Sequence, residues 1–241
     1  MLVGFAHEHP VFHSQLQRPR LPARSGFKAF IRLSAGQGLV VDDGSVHPIK
    51  VSVNANLQQR LVVYRLESNK GLGLATGIAL DYFLRQNLSF FVRLDADGQH
   101  PYDEVHRLLQ PLLTEAADVV WGERKNSTQP AFGQVHRSWA KSLTQKLAKQ
   151  LLNSTHQDWF SGFFALNRQA ALAVQSKQLE RYCEVQMLCE FHSLGMRMQT
   201  IEIQQYPRTQ GRSSIRTLSG LFVVLRACLL ILVHAVGRGR P

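Results

Sequence analysis

Two rhythms of apolar and polar residues alternate along the chain. Short apolar runs bounded by polar turns, at residues 2–5, 38–41, 61–66, 90–94, 117–121 and 199–205, predict strands. Between them apolar residues recur at helical spacing. Leu74, Ile78 and Tyr82 lie in a segment ending near residue 87, and Val105, Leu108, Leu109 and Leu112 form one face within 101–115. A long basic helix over 132–152 carries His136, Arg137, Lys141, Lys146 and Lys149, and a later helix contains Glu184, which reads as a surface glutamate. Prolines and arginines over 16–24 disfavour a helix there, so residues 10–25 are expected to be irregular. The regular alternation predicts an α/β fold, a mostly parallel sheet flanked by helices. Ligands of such sheets bind at the carboxyl ends of the strands, so the residues after each apolar run are the ones to read for chemistry.

The run 90–94 ends in the most informative of these turns, FFVRLDADGQHP at 90–101. In an extended segment residues i and i+2 point to the same side, so Asp95 and Asp97 would converge on one point. Hard cations such as Mg²⁺ or Mn²⁺ are typically held by one or two carboxylates together with the phosphates of a nucleotide. Alone the pair could also decorate a solvated turn. VVDDGS at 40–45 places Asp42 and Asp43 after another strand, and NKGLGLA at 69–75 sets Gly71 and Gly73 at a helix start, where glycine permits close approach of a phosphate or base. His7, His9 and His13 suggest a zinc site, but Pro10 interrupts the helix that would align His9 with His13, and ordinary loop histidines are expected instead.

With VVWGER at 119–124, DWFSGFFA at 158–165, PRTQGRSS at 207–214 and a weaker block after residue 2, these stretches form an ordered set over most of residues 2–216. The set resembles the GT-A glycosyltransferases of family 2, and within them the dolichyl-phosphate or polyprenyl-phosphate sugar transferase branch. The resemblance implies a Rossmann-like GT-A domain over 1–216 and a metal-dependent, inverting transfer of sugar from a UDP- or GDP-sugar donor to a polyprenyl-phosphate acceptor. It implies that Asp95, Asp97 and Gln99 hold Mg²⁺ or Mn²⁺, and that Ala6, His7, Asp42, Asp43, Asn69, Gly71, Asp95 and Ala96 line the donor nucleotide, with Asp43 preferred over Asp42 for the base or ribose. Arg124 inherits a phosphate contact, Arg208 the cationic clamp of a mobile loop with Gly211 and Ser213, and Asp158 the place of a general base should the acceptor be a hydroxyl. Three departures stand out. Glu8 and His9 replace the usual Asn and Glu after His7, and Phe164 replaces an arginine often found after the Ser-Gly-Phe element. A glycan hydroxyl acceptor, or a catalytically silent GT-A module binding a nucleotide or partner, are the alternatives.

Composition narrows the partners. The net charge is +11, from 28 basic and 17 acidic residues in 241, and the pI is near 10.1. An anionic partner follows, a phosphorylated substrate or an anionic membrane surface. No RNP-type motif, zinc-finger spacing or block of five basic residues supports nucleic acid, which has only the net charge behind it and is not expected as a partner. The three cysteines form no CxxC pair, and the amino terminus lacks the order of a secretory signal, so a cytoplasmic protein with free thiols is expected. Residues 217–241 read as a C-terminal apolar helix with a basic tail. Its 19 apolar-rich residues, 218–236, would reach roughly the ~30 Å of a bilayer core. Arg226 near the middle would cost about 2.5–3.5 kcal/mol in a spanning helix. The expectation is therefore an amphipathic helix lying in the cytoplasmic leaflet, with docking on the protein's own core as the alternative.

Overall fold

A computed structural model of the chain describes residues 2–6, 36–49, 58–95, 104–124, 135–204 and 217–238. Seven strands form one sheet: β1 (Leu2–Ala6), β2 (Gln37–Asp42), β3 (Leu61–Arg65), β4 (Phe90–Leu94), β5 (Val119–Arg124), β6 (Phe164–Asn167) and β7 (Met198–Ile203). The order across the sheet is β3-β2-β1-β4-β6-β5-β7. Strands β2, β3, β4, β5 and β7 run one way, and β1 and β6 run the other. The expected α/β sheet of predominantly one sense is present, but β6, a four-residue strand, was not anticipated. The helices are α1 (Leu72–Arg85), α2 (Val105–Leu113), α3 (Val135–Leu152), α4 (Arg168–Gln175), α5 (Glu184–Ser193) and α6 (Thr217–Arg238).

Strand alternation divides the core between the two faces of the sheet. Phe91, Phe164, Leu166, Val119 and Trp121 face α1, α4, α5 and α6, where they pack with Phe83, Trp159, Met187, Phe191 and Ile231. Phe90, Val92, Ala165 and Val120 face α2 and meet Leu108, Leu109 and Leu112. Those three leucines lie at helical spacing and are at most 2% exposed. Burying each stabilises the fold by about 1.5–3 kcal/mol. Because β4 and β6 are covered on both sides, their sequences read as unbroken apolar runs rather than alternating ones.

A polar hub ties β5, β6 and β7 at the edge remote from their carboxyl rim. Asp118, buried, accepts from Arg197 through N and Nε at 3.0 Å and Nη2 at 2.7 Å, and from Asn167 Nδ2 at 2.8 Å. Asn167 in turn caps α4 by accepting from the Ala170 N–H. The Arg197 hydrogen bonds outweigh the opposing effect of burial and hold the Asp118 pKa below its ordinary 3.8. A carboxylate whose pKa is lowered on folding stabilises the fold above its unfolded pKa, and that contribution is lost as pH falls through the folded value. The stability gap between the protein and an Asp118→Asn variant is therefore expected to be full at neutral pH and to narrow only below pH 3.8. Denaturant titrations across that range check it.

Helix α6 resolves the question its sequence posed. Its inner face, Val223, Val224, Ala227 and Ile231, is buried, and the helix packs against α3 and α5. Arg226 is not a charge adrift in an apolar helix, since its Nε and Nη2 donate to Glu180 at 2.5–3.1 Å. His234 and Lys177 both approach Glu190. The helix is thus docked on the core along one face. The opposite face, Phe222, Leu225, Leu229, Leu232, Val233 and Val236, stays exposed. Among the described residues no helix is long and apolar enough to cross a membrane.

Candidate functional site

The rows of the sheet bring the motifs to one rim. Arg93 stands opposite Phe164, and Phe164 opposite Trp121. The residues beyond that row, Asp95 after β4, Gly162 before β6 and Arg124 at the end of β5, therefore gather at the same edge. Strand β2 ends there too, because Val40 and Leu94 both register with Leu2. Asp42 accordingly lies two strand spacings, about 10 Å, from the end of β4.

Asp95 is held on two sides. Its Oδ1 lies 3.4 Å from Arg93 Nη2. On the other side is Gly162, where an added Cβ would sit 2.7 Å from Oδ2. The glycine of the Ser-Gly-Phe element thus leaves room for this carboxylate. Arg93 itself is fully buried, its guanidinium 5.4 Å from the centre of the Phe164 ring. Its main partner is Glu184, with Nη2 donating to Oε1 at 2.6 Å. The expectation of a surface glutamate at 184 is corrected: the side chain is 7% exposed and turned inward at the first turn of α5. Burial alone would favour a neutral Arg93, but Glu184, with Asp95, more than offsets it, and its pKa lies above the ordinary arginine value. Burial also pushes the Cys183 thiol up to about 12, so this cysteine is a neutral packing group at physiological pH.

Arg124 and Asp158 were expected to serve separately, as phosphate contact and as general base. The structure pairs them. Arg124 donates to both oxygens of Asp158, Nε at 2.5 Å and Nη2 at 2.7 Å, and Asp158 is fully buried. Instead of standing apart as a free base, Asp158 anchors the Arg124 guanidinium through both of its oxygens. Arg124 keeps 31% of its side chain exposed, which leaves its outer edge able to meet an anion. Its pKa is raised: burial would lower it, but Asp158, with Asp95 and Glu184 close behind, prevails.

The residues expected to line the nucleotide divide differently. Asp42 is 1% exposed and organises its own turn, accepting from Ser45 N at 2.9 Å and lying 3.4 Å from Arg65. Burial would raise its pKa, but the hydrogen bonds from Ser45 and Ile49, with Arg65, outweigh that and lower it. Asp43 accepts from Lys70 N at 2.6 Å and Gly71 N at 2.8 Å, tying β2 to the start of α1. Asn69 Oδ1 accepts from Arg181 Nη2. An added Cβ on Gly71 would meet Arg181 Cγ at 2.5 Å, and one on Gly73 would overlap the Glu180 carbonyl. The space a side chain would take at these two glycines is filled by the protein's own segment before α5. Gly71 has φ 96°, a further reason for glycine. Ala6 registers with Phe90, at the opposite end of β4 from Asp95, because β1 runs antiparallel to its neighbours. It is not at the rim. His7, Ala96, Asp97, Gln99, Arg208, Gly211 and Ser213 lie outside the described residues. Sequence reasoning missed Arg93, although an arginine inside an apolar run, two residues before Asp95 and hence on its side of the strand, was the available signal.

A divalent cation fits this corner as a shared ligand. Among the described residues no three His, Cys, Asp or Glu side chains converge into a cage. Asp95 does present a carboxylate a third exposed at the rim, a hard oxygen donor suited to Mg²⁺ or Mn²⁺ with phosphate completing the shell. By sequence Asp97 and Gln99 would add oxygen donors.

An α/β sheet with a partly exposed acid, Asp95, and a partly exposed arginine, Arg124, at its carboxyl rim is the frame of a GT-A domain. The profile of glycosyl transferase family 2 matches residues 37–174, and the chain belongs to that family. It is a glycosyltransferase of this type. An uncharacterized protein of Methanocaldococcus jannaschii is 26% identical over 200 residues, 78% of this chain and 79% of that one. The polyprenol monophosphomannose synthase of Mycolicibacterium smegmatis is 36% identical over 89 residues, 36% of this chain and 33% of that enzyme. Among solved structures, glucosyl-3-phosphoglycerate synthase from Mycobacterium tuberculosis, in complex with Mn²⁺, uridine diphosphate and glucosyl-3-phosphoglycerate, superposes with a TM-score of 0.56 at 18% identity. That match covers 83% of this chain and 68% of that one, and it speaks to the fold.

Proposed function

We propose that the protein transfers a sugar, with inversion, from a UDP- or GDP-sugar to a polyprenyl phosphate. The observation that carries the choice of acceptor is the engagement of Asp158 by Arg124. A hydroxyl acceptor needs a general base, and the one sequence candidate for that role is buried and paired. A lipid phosphate is already anionic at pH 7 and needs none. The name of the mycobacterial polyprenol enzyme agrees with this acceptor, and the Mn²⁺ and uridine diphosphate of the solved neighbour agree with a metal and a nucleotide donor. Asp95, with Asp97 and Gln99, would hold the metal, which supplies electrostatic stabilisation to the departing diphosphate. Arg124 meets the same negative charge with its exposed edge, and Arg208 would add a second cation from the loop.

Two measurements test the reading. Thermal unfolding with a panel of UDP- and GDP-sugars and Mn²⁺ is expected to single out one donor by a raised midpoint. Radiolabelled sugar from that donor should then pass to undecaprenyl phosphate. Passage to a glycan hydroxyl instead would replace the acceptor, and no metal-dependent turnover of any donor would make the domain a silent binding module.

A lipid acceptor requires contact with a bilayer, and we place that contact on the outer face of α6. Its six exposed apolar side chains are accompanied by exposed Lys146 and Lys149 on the adjoining α3, in a chain of net charge +11. An anionic surface such as the cytoplasmic leaflet complements both features. The protein is expected to float with vesicles containing phosphatidylglycerol and not with purely phosphatidylcholine vesicles. Failure to float with either removes the membrane contact.

A further inference from the structure

Arg93 lies between two acids and bonds mainly to one. Its Nη2 is 2.6 Å from Glu184 Oε1 and 3.4 Å from Asp95 Oδ1, so only the first contact has the length of a full hydrogen bond. The rest of its surroundings are weak competitors: Cys183 Sγ at 3.6 Å from Nη1 and the face of Phe164. Its Nε has no hydrogen-bond partner among the described residues. A fully buried guanidinium must neutralise an acid, and the two candidates are Glu184, nearly buried, and Asp95, a third exposed at the rim. Arg93 and Asp95 stand two residues apart on one side of a strand, which is close enough for a full ion pair.

We infer that Glu184 is a positioning residue that draws Arg93 away from Asp95. The inference rests on the proposed role of Asp95 as a metal ligand. With Arg93 bonded to Glu184, Asp95 feels the arginine only through a long contact, and Gly162 limits its movement on the other side. The carboxylate is thereby kept out of a full ion pair with Arg93. Without the charge on Glu184, Arg93 would close on Asp95, and a cation would have to displace it.

Manganese titrations with UDP or GDP present, following the free Mn²⁺ signal by electron paramagnetic resonance, test this without reference to turnover. Glu184→Gln, which keeps the shape and removes the charge, is expected to weaken Mn²⁺ binding by about tenfold, the usual scale for a residue behind a metal ligand. Removing the released cation as well, in Glu184→Gln/Arg93→Met, is expected to bring binding back to near the wild-type value. A purely structural ion pair would lower the thermal midpoint of Glu184→Gln and leave its Mn²⁺ affinity unchanged, and that result overturns the inference. So does a double variant that binds as weakly as the single one. Should Glu184→Gln fail to fold, Glu184→Asp takes its place, since it keeps the charge but shortens the reach to Arg93: a severalfold loss of Mn²⁺ affinity supports the inference and unchanged affinity refutes it. Absence of Mn²⁺ binding by the wild-type protein is a separate result, which would remove the metal from the proposed function and this inference with it.

Discussion

Replacing Asp95 by asparagine is expected to lower the rate of sugar transfer by about 10²–10³-fold, equivalent to about 2.7–4 kcal/mol of lost stabilisation of the leaving group. The substitution keeps the shape of the side chain, so the space beside Gly162 stays filled. It removes the negative charge that a cation would share with the diphosphate. The fold should tolerate the change, because Asp95 is a third exposed and its contact with Arg93 is only the secondary one. Steady-state rates at saturating donor, with thermal unfolding of the same samples, separate the two effects. An Asp95→Asn enzyme with wild-type turnover would refute the metal assignment.

The second large effect falls on stability. Arg124→Met is expected to destabilise the protein by about 3–5 kcal/mol, since it leaves Asp158 as a buried carboxylate without its counter-ion. Asp158 is fully buried, and both of its oxygens are committed to Arg124. The double variant Arg124→Met/Asp158→Leu, which removes the whole pair, should recover much of that stability. It should not recover activity, because the arginine proposed to meet the diphosphate is gone. Denaturant unfolding of the single and double variants measures the first expectation, and transfer assays measure the second. A single variant as stable as the wild-type protein would show that Asp158 finds another partner, and would reopen its use as a base.

These two sites illustrate different degrees of legibility. The Asp95 turn could be read locally: an apolar strand, then acids at i and i+2, is a pattern confined to a dozen residues. The strands at 90–94 and 61–65 and the leucine face of α2 were equally local, because a period of 2 or 3.6 survives without knowledge of the neighbours. Strand β6 was missed because four residues, FALN, carry no period. It is a strand because β4 and β5 lie on either side of it. The glycines at 71 and 73 announced a close approach, but not that segment 179–181 would make it.

By itself the sequence determined the class of fold, the family, the place of Asp95 and Arg124 at strand ends, and a C-terminal helix too charged at Arg226 to be a simple span. Tertiary structure alone decided the partners. Arg93 and Glu184 are 91 residues apart, and Arg124 and Asp158 are 34 apart. Nothing in a local pattern records which arginine will neutralise which acid. That choice is made when the sheet closes, because burial makes every unpaired charge costly and only the groups that the packed strands bring within hydrogen-bonding distance can relieve it.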